Sequence, residues 1–271
     1  MDGLRRFIRY KAADGCIALI DEQAAVAAFG QPLAEVEEQV LLLGIMPRRY
    51  MRNCLSCDQQ LRLLRARVCV IGCGGLGGSV AEILTRTGVG YLRLIDPDSF
   101  EEHNLNRQRF ATVATLGQPK VQAARTALMA INPAIHIDAV QAEFCETDVL
   151  AVEVIVDALD SAEKRLILAA FCTKHGRSLV HGAVREWYGQ VGIATAANNL
   201  VAGLYPGAVQ ESATPPPLQV IAPTVAVIAG MQAAETCKLL LGLPSVLSSS
   251  WLSCNLLDCE YEPIPDSPSI P

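Results

Sequence analysis

The chain has no surplus of positive charge: in 271 residues, 22 lysines and arginines face 28 aspartates and glutamates, a formal net charge of -6. A protein that grips a nucleic-acid backbone neutralises phosphates one by one with such side chains, so nucleic acid is not expected as its main ligand. Long hydrophobic runs are missing too. The most apolar stretch, 220–230, contains Pro223 and runs into Gln232 and Glu235. It is too short and too interrupted to span a bilayer, so a buried helix of small residues is expected and membrane association is not. The opening MDGLRRFIRYKAADG is basic but has no apolar segment or small-residue cleavage site, and Asp2, Asp14 and the lack of serine disfavour a transit peptide. It reads as mature sequence. There is no internal repeat, and the ten cysteines form no disulfide framework: they are scattered through apolar stretches such as Val68-Cys69-Val70 and Ala170-Phe171-Cys172. Reduced, buried thiols and a cytoplasmic location are expected.

What is present is apolar and long. With 51% hydrophobic and 18% charged residues, the chain can bury about three quarters of its extended surface in one large α/β domain with an appendage. Residues 21–29 and 33–43 read as two short helices separated by Gly30-Gln31-Pro32 and closed by Gly44. They resemble a helix-turn-helix, but the second helix carries Glu35, Glu37 and Glu38 and no lysine or arginine, which repels phosphate. A packing or partner-docking appendage over 1–48 is the better reading.

From Val68 onward, short β-branched runs alternate with amphipathic helices, the pattern of a parallel sheet with crossover helices. Strands are expected at 68–72, 91–95, 135–140, 154–158 and 178–181, with helices at 77–88, 119–131 and 162–175. Strand-like runs follow at 190–195 and 200–204, then a proline-rich loop at 212–218, a helix at 224–241 and two terminal strands at 246–252 and 255–261. Residues 263–271 look low in complexity and are expected to be disordered. The fold class expected is a Rossmann-like parallel sheet with crossover helices, continued by antiparallel strands in the C-terminal half, with a main domain over 49–262.

The first strand runs into Gly72-Cys73-Gly74-Gly75-Leu76-Gly77 and then a helix. Glycines there permit a tight turn and a close backbone approach, and the helix start offers unpaired N–H groups to a phosphate. The second strand ends in Asp96, spaced to accept hydrogen bonds from ribose hydroxyls. NAD and ATP both suit these features. ATP chemistry also needs positive charge where a leaving pyrophosphate accumulates negative charge. Candidates follow at strand ends and helix starts: Asn104-Leu105-Asn106-Arg107-Gln108 after Asp96-Pro97-Asp98, then Gly117-Gln118-Pro119-Lys120, and Asp157-Ala158-Leu159-Asp160. Mg²⁺ ligands are expected in the crevice that Asp160 enters.

In this order, and with Arg49-Tyr50-Met51-Arg52-Asn53 and Asn132-Pro133, these residues resemble the ThiF/MoeB/HesA family, bacterial relatives of the ubiquitin-activating enzymes, from Arg49 onward. The resemblance implies nucleotide binding by Gly72, Gly74, Gly75, Leu76 and Gly77, by Asp96 at the ribose, and by Asp98 and Leu159. It implies phosphate contacts from Asn104, Arg107 and Lys120, a Mg²⁺-linked role for Asp160, and a homodimer in which Arg52 reaches the triphosphate of the neighbouring subunit. Catalysis would fall to Arg52, Arg107, Lys120 and Asp160. The activity implied is adenylation by ATP of the C-terminal carboxylate of a small ubiquitin-like sulfur-carrier protein ending in Gly-Gly, serving molybdopterin, tungstopterin or thiamine synthesis. Another peptide substrate, and from a different class an NAD-dependent oxidoreductase, are the alternatives.

Two departures from the family pattern matter. Its two zinc-binding CxxC pairs are absent: Leu204-Tyr205-Pro206-Gly207 stands at the first, and Cys254 and Cys259 have the wrong spacing for the second. No family-type zinc site is expected. The only CxxC, Cys54-Leu55-Ser56-Cys57, supplies two of the four ligands a structural zinc needs and reads as incidental. The family's reactive cysteine is also missing from Ser212-Ala213-Thr214-Pro215-Pro216-Pro217, so an enzyme that stops at the adenylate is expected. His181 is expected to be a hydrogen-bonded structural residue.

Overall fold

The computed structural model describes residues 2–198, 200–206 and 219–265. At the N-terminus, α1 (Asp2–Lys11), α2 (Leu19–Phe29) and α3 (Leu33–Leu42) enclose a small core of Leu4, Ile8, Ile17, Ala25, Val36, Val40 and Ile45. A two-residue parallel pairing of β1 (Cys16–Ile17) with β2 (Met46–Pro47) closes it. α2 and α3 lie where the sequence placed them. α1 was not anticipated; Leu4 and Ile8, four residues apart, form its buried stripe.

Arg49 bolts this bundle to the rest of the chain. It ion-pairs with Glu22 at 2.5 Å and with Glu37, both carboxylates being fully buried. The Tyr50 hydroxyl next to it accepts a hydrogen bond from Asn132 Nδ2 at 2.7 Å. α4 (Cys57–Arg65) follows, started by a reciprocal cap in which Ser56 Oγ accepts from the Gln59 N–H and Gln59 Oε1 accepts from the Ser56 N–H.

Among the described residues one sheet of eight strands carries the main domain: β3 (Arg67–Ile71), β4 (Tyr91–Ile95), β5 (His136–Val140), β6 (Val154–Asp157), β7 (Ser178–Arg185), β8 (Tyr188–Ala194), β9 (Ser250–Asn255) and β10 (Glu260–Pro265). Their spatial order is β10-β9-β8-β7-β6-β3-β4-β5. β3 to β7 run parallel, and β8 to β10 extend the sheet antiparallel. This is the α/β architecture expected from the sequence. α5 (Gly75–Thr87), α6 (Lys120–Ile131) and α7 (Ala162–Lys174) are the crossovers. The chain leaves β3 for β4 and β5, then returns to β6 on β3's other side. That reversal opens a crevice at the strands' C-terminal ends.

Three expectations for the C-terminal half are corrected. Residues 200–204 form a short helix, α8 (Leu200–Leu204), and not a strand. β8 is already paired on both sides, by β7 and β9, so the apolar run packs onto the sheet face beside α7. A short apolar run does not by itself distinguish strand from helix. The terminal strands start later than expected. Ser245 caps a single turn at Val246–Ser248, and Asn255 Oδ1 accepts from the N–H groups of Leu257 and Asp258, placing a turn where strand was expected. Residues 263–265 belong to β10 rather than to a disordered tail, while 266–271 and the proline-rich loop at 212–218 lie outside the described residues.

α9 (Ala222–Leu241) is long and apolar enough to cross a membrane. It lies instead against the sheet: Ile228, Ala229 and Ala233 are in the core, and Gln232 Nε2 donates to the carbonyls of Asp157 (2.9 Å) and Val180 (3.2 Å).

Candidate nucleotide site

The glycine turn has no room for a side chain at Gly72 or Gly77. Gly72 has φ +91°, and a Cβ there would lie 2.6 Å from the Ala158 carbonyl oxygen. A Cβ on Gly77 would fall well inside contact distance of the Gly72 carbonyl oxygen, so the first turn of α5 sits directly on the end of β3. With Gly74 at its N-cap, α5 presents its free N–H groups to the crevice.

Asp96 follows β4 and braces this turn. Its Oδ2 accepts from the Cys73 N–H at 2.6 Å and its Oδ1 from the Asp98 N–H at 2.8 Å. Burial raises its pKa above the ordinary carboxylate value, with Lys120 and these two N–H groups pulling the other way. The chain then folds back: the Phe100 N–H donates to the Gln118 carbonyl and the Gly117 N–H to the Phe100 carbonyl. This places Lys120, the first residue of α6, against Asp98, with Nζ 2.8 Å from Oδ2. Lys120 is 7% exposed. Asn104 is buried and its Oδ1 accepts from the Glu101 N–H, fixing the turn that carries Arg107. Arg107 is held by the His103 carbonyl at 3.0 Å and by Asn106 Oδ1 at 2.9 Å.

These elements enclose a cavity of about 540 Å³, within the usual range for small-molecule sites. Gly72, Gly74, Gly75, Leu76, Asp96, Asp98, Arg107, Lys120, Leu159 and Asp160 all line it. The structure therefore brings together groups from five separate stretches of sequence. Gly77 shapes the turn from behind the wall, and Asn104 positions its neighbours from behind it. Arg52 is exposed, on the turn before α4, and is not part of the cavity of its own chain.

Sequence reasoning missed several wall residues. Lys164 and Arg165, on the first turn of α7, line the cavity, as do Glu143, Phe144 and His103; Gln108 was noted only as part of a motif. Lys164 Nζ bonds both oxygens of Glu143, at 2.7 and 2.9 Å. His181 is fully buried and structural, as expected, with Nδ1 2.8 Å from Asp157 Oδ2. Cys254 is buried with its thiol 3.7 Å from the Met231 sulfur, and Cys259 is exposed. Burial on α9 pushes the Cys237 thiol up to about 11, which makes it a poor nucleophile.

Residues 48–269 match the ThiF family along their whole length. The chain belongs to the ThiF family. It is 34% identical to the SAMP-activating enzyme E1 of Haloferax volcanii over 230 residues, covering 80% of this chain and 84% of that one. It is 31% identical to the molybdopterin-synthase adenylyltransferase of Escherichia coli over 242 residues, 84% of this chain and 94% of the relative. Among solved structures, E. coli MccB with MccA-N7isoASN shares the fold at a TM-score of 0.69 and 22% identity, over 92% of this chain and 84% of that one. A second structure of E. coli MccB was solved with ATP and has a TM-score of 0.67 at 20% identity, over 92% of this chain and 83% of that one. Membership of the ThiF family, with curated adenylyltransferases as relatives, makes the chain an adenylyltransferase and sets aside the oxidoreductase reading.

Proposed function

We propose that this ThiF-family enzyme uses ATP to adenylate the C-terminal carboxylate of a small ubiquitin-like sulfur-carrier protein ending in Gly-Gly, releasing pyrophosphate. The observation that carries the reading is the convergence of the glycine turn, Arg107, Lys120 and Asp160 on one cavity. The relatives' names support the substrate class: besides those above, the sulfur carrier protein adenylyltransferase of Thermus thermophilus is 30% identical over 219 residues, 75% of this chain and 80% of that one. Molybdopterin, tungstopterin or thiamine synthesis would be served, in the cytoplasm.

A carboxylate resists nucleophiles because of its own charge, and a mixed anhydride with AMP removes that obstacle. In the proposed step a carrier carboxylate oxygen attacks the α-phosphorus in line, the bond to the β-phosphate oxygen breaks, and the electron pair leaves with pyrophosphate. The N–H groups at the start of α5 bind the phosphates, and Asp96 holds the ribose. Lys120, now closed on Asp98, and Arg107 stand where negative charge accumulates on the leaving group. A flexible diglycine tail has no side chains to obstruct its passage into the crevice.

The residues present fit Mg²⁺. Asp160 is exposed on the wall and has no hydrogen bond or ion pair among the described residues. A single carboxylate suits an ion that takes its remaining ligands from phosphates and water. Asp160, together with the triphosphate, would hold it, and it would neutralise phosphate charge. Arg52, exposed away from its own cavity, fits an arginine acting on a second subunit's triphosphate in a homodimer.

Exchange of labelled pyrophosphate into ATP, measured with candidate diglycine carriers, tests the reading. Exchange should require the carrier's last glycine and fall by about 10²-fold or more in Asp160→Ala and Arg107→Ala. Exchange indifferent to that glycine would remove the carrier from the reaction.

A further inference from the structure

Behind the cavity wall is a chain of buried polar groups that the proposed chemistry does not use. Arg165, 6% exposed, lines the cavity from the first turn of α7. One end of its guanidinium donates to the carbonyl of Leu159, the residue before Asp160. The other end donates to the Tyr205 hydroxyl at 2.5 Å. That hydroxyl lies 3.2 Å from His181 Nε2 and also accepts from Gln190 Nε2 at 2.9 Å. His181 Nδ1 is 2.8 Å from Asp157 Oδ2, and Asp157 is the last residue of β6, three before Asp160.

The protons in this chain can be placed. Burial alone would raise the Asp157 carboxyl, but the Arg165 charge and the His181 hydrogen bond outweigh it and hold the pKa below its ordinary value. Burial also pushes the His181 imidazole down, against the pull of Asp157. An ionised Asp157 only accepts, so the neutral imidazole carries its proton on Nδ1 and Nε2 is an acceptor. His181 Nε2 is met by two donors, the Tyr205 hydroxyl at 3.2 Å and Gln190 Nε2 at 3.1 Å, while the hydroxyl oxygen accepts from Arg165. Each group thereby fixes the next, and the buried charges of Arg165 and Asp157 are joined through Tyr205 and His181 without touching each other.

We propose that Arg165 is a positioning residue for adenyl transfer: anchored by Tyr205, His181 and Asp157, it holds the Leu159 carbonyl and so sets where the Asp160 carboxylate stands in the cavity. The inference rests on the reading of Asp160 given above. An isolated buried arginine is costly and would be expected to pair directly with its nearest carboxylate. Here the guanidinium is spent instead on the backbone that carries Asp160. Lysine cannot replace it, because a single ammonium cannot span both Tyr205 and the Leu159 carbonyl.

Tyr205→Phe removes one oxygen from the anchor and leaves Arg165 in place. In pyrophosphate exchange its kcat should fall about tenfold with the KM for ATP within about twofold, the signature of a lost transition-state interaction. Arg165→Lys should lose as much, although it keeps the charge. Unchanged kcat in Tyr205→Phe, a loss expressed only in KM, or full activity in Arg165→Lys would each overturn the inference. Two spectroscopic measurements need no carrier. In ¹⁵N spectra of the unaltered protein, the His181 proton should reside on Nδ1, and a proton on Nε2 would break the chain of bonds. In amide spectra, Tyr205→Phe should displace the Asp160 signal, and an unmoved signal would also overturn the coupling. If the unaltered enzyme shows no exchange while the Asp160 signal moves, the proposed reaction fails and the coupling stands.

Discussion

At Gly77 the missing side chain is a structural requirement, because a Cβ there would collide with the Gly72 carbonyl oxygen and press on the Ala158 methyl group at 3.1 Å. Backbone atoms cannot rotate out of the way as a side chain can. Gly77→Ala is therefore expected to cost about 1–3 kcal/mol, the usual range for overpacking, and to weaken ATP binding by displacing α5 from the end of β3. Urea denaturation with and without ATP measures both effects, and an unmoved midpoint would show that the turn yields freely. Residues of this kind are legible in sequence. The glycines, Asp96, Lys120 and Asp160 sit at or beside a strand end or helix start, so order along the chain predicts their place in the fold, and Arg107 follows on the turn that Asn104 fixes. Arg165 and Lys164 are not legible in that way. They occupy ordinary positions on the first turn of a helix, and only the packing of α7 beside the loop after β6 brings them to the wall.

The elements carrying the parallel half follow from the sequence for the same reason: β-branched runs, glycine turns and crossover lengths leave few alternatives. Elements defined by tertiary partners do not. α8 depends on β8 having no free edge, and α1 on a core built with α2 and α3, which the first eleven residues alone do not reveal. That bundle also holds an electrostatic conflict, since among the described residues one cation, Arg49, ion-pairs with both buried carboxylates, Glu22 and Glu37. Burial raises Glu22 from 4.5 to about 7, with Arg49 opposing and Glu37 adding to the rise. A carboxyl whose folded pKa exceeds its unfolded value binds its proton more tightly in the native state. Its contribution to stability is fully present below pH 4.5 and is lost as the pH rises through about 7. Glu22→Gln keeps the shape and removes that ionisation. It should therefore be more stable than the unaltered protein at pH 8, with the advantage gone near pH 4.5, as read from urea midpoints at the two values. An advantage independent of pH would assign the effect to packing.

At the scale of the whole molecule, the position of Arg52 decides what a working unit is. The cavity of one chain contains Arg107, Lys120 and Asp160 but not Arg52, which is exposed beside Met51, itself 56% exposed. If Arg52 serves the triphosphate of a second subunit, each complete site needs groups from two chains. Arg52→Ala and Asp160→Ala should then each be nearly inactive alone. In a mixed dimer, the chain carrying Arg52→Ala keeps a sound Asp160 and receives Arg52 from its partner, giving one complete site, while the other site lacks both groups. Equal amounts of the two variants, allowed to exchange subunits at random, place half of all dimers in the mixed state. About one quarter of the unaltered activity per chain should return, by the symmetry of a two-fold assembly. Pyrophosphate exchange before and after mixing reads this directly, with sedimentation establishing that the protein is dimeric. A mixture no more active than its components would mean that Arg52 acts within its own chain or not at all, since no arrangement of shared sites leaves the mixed dimer without a complete one.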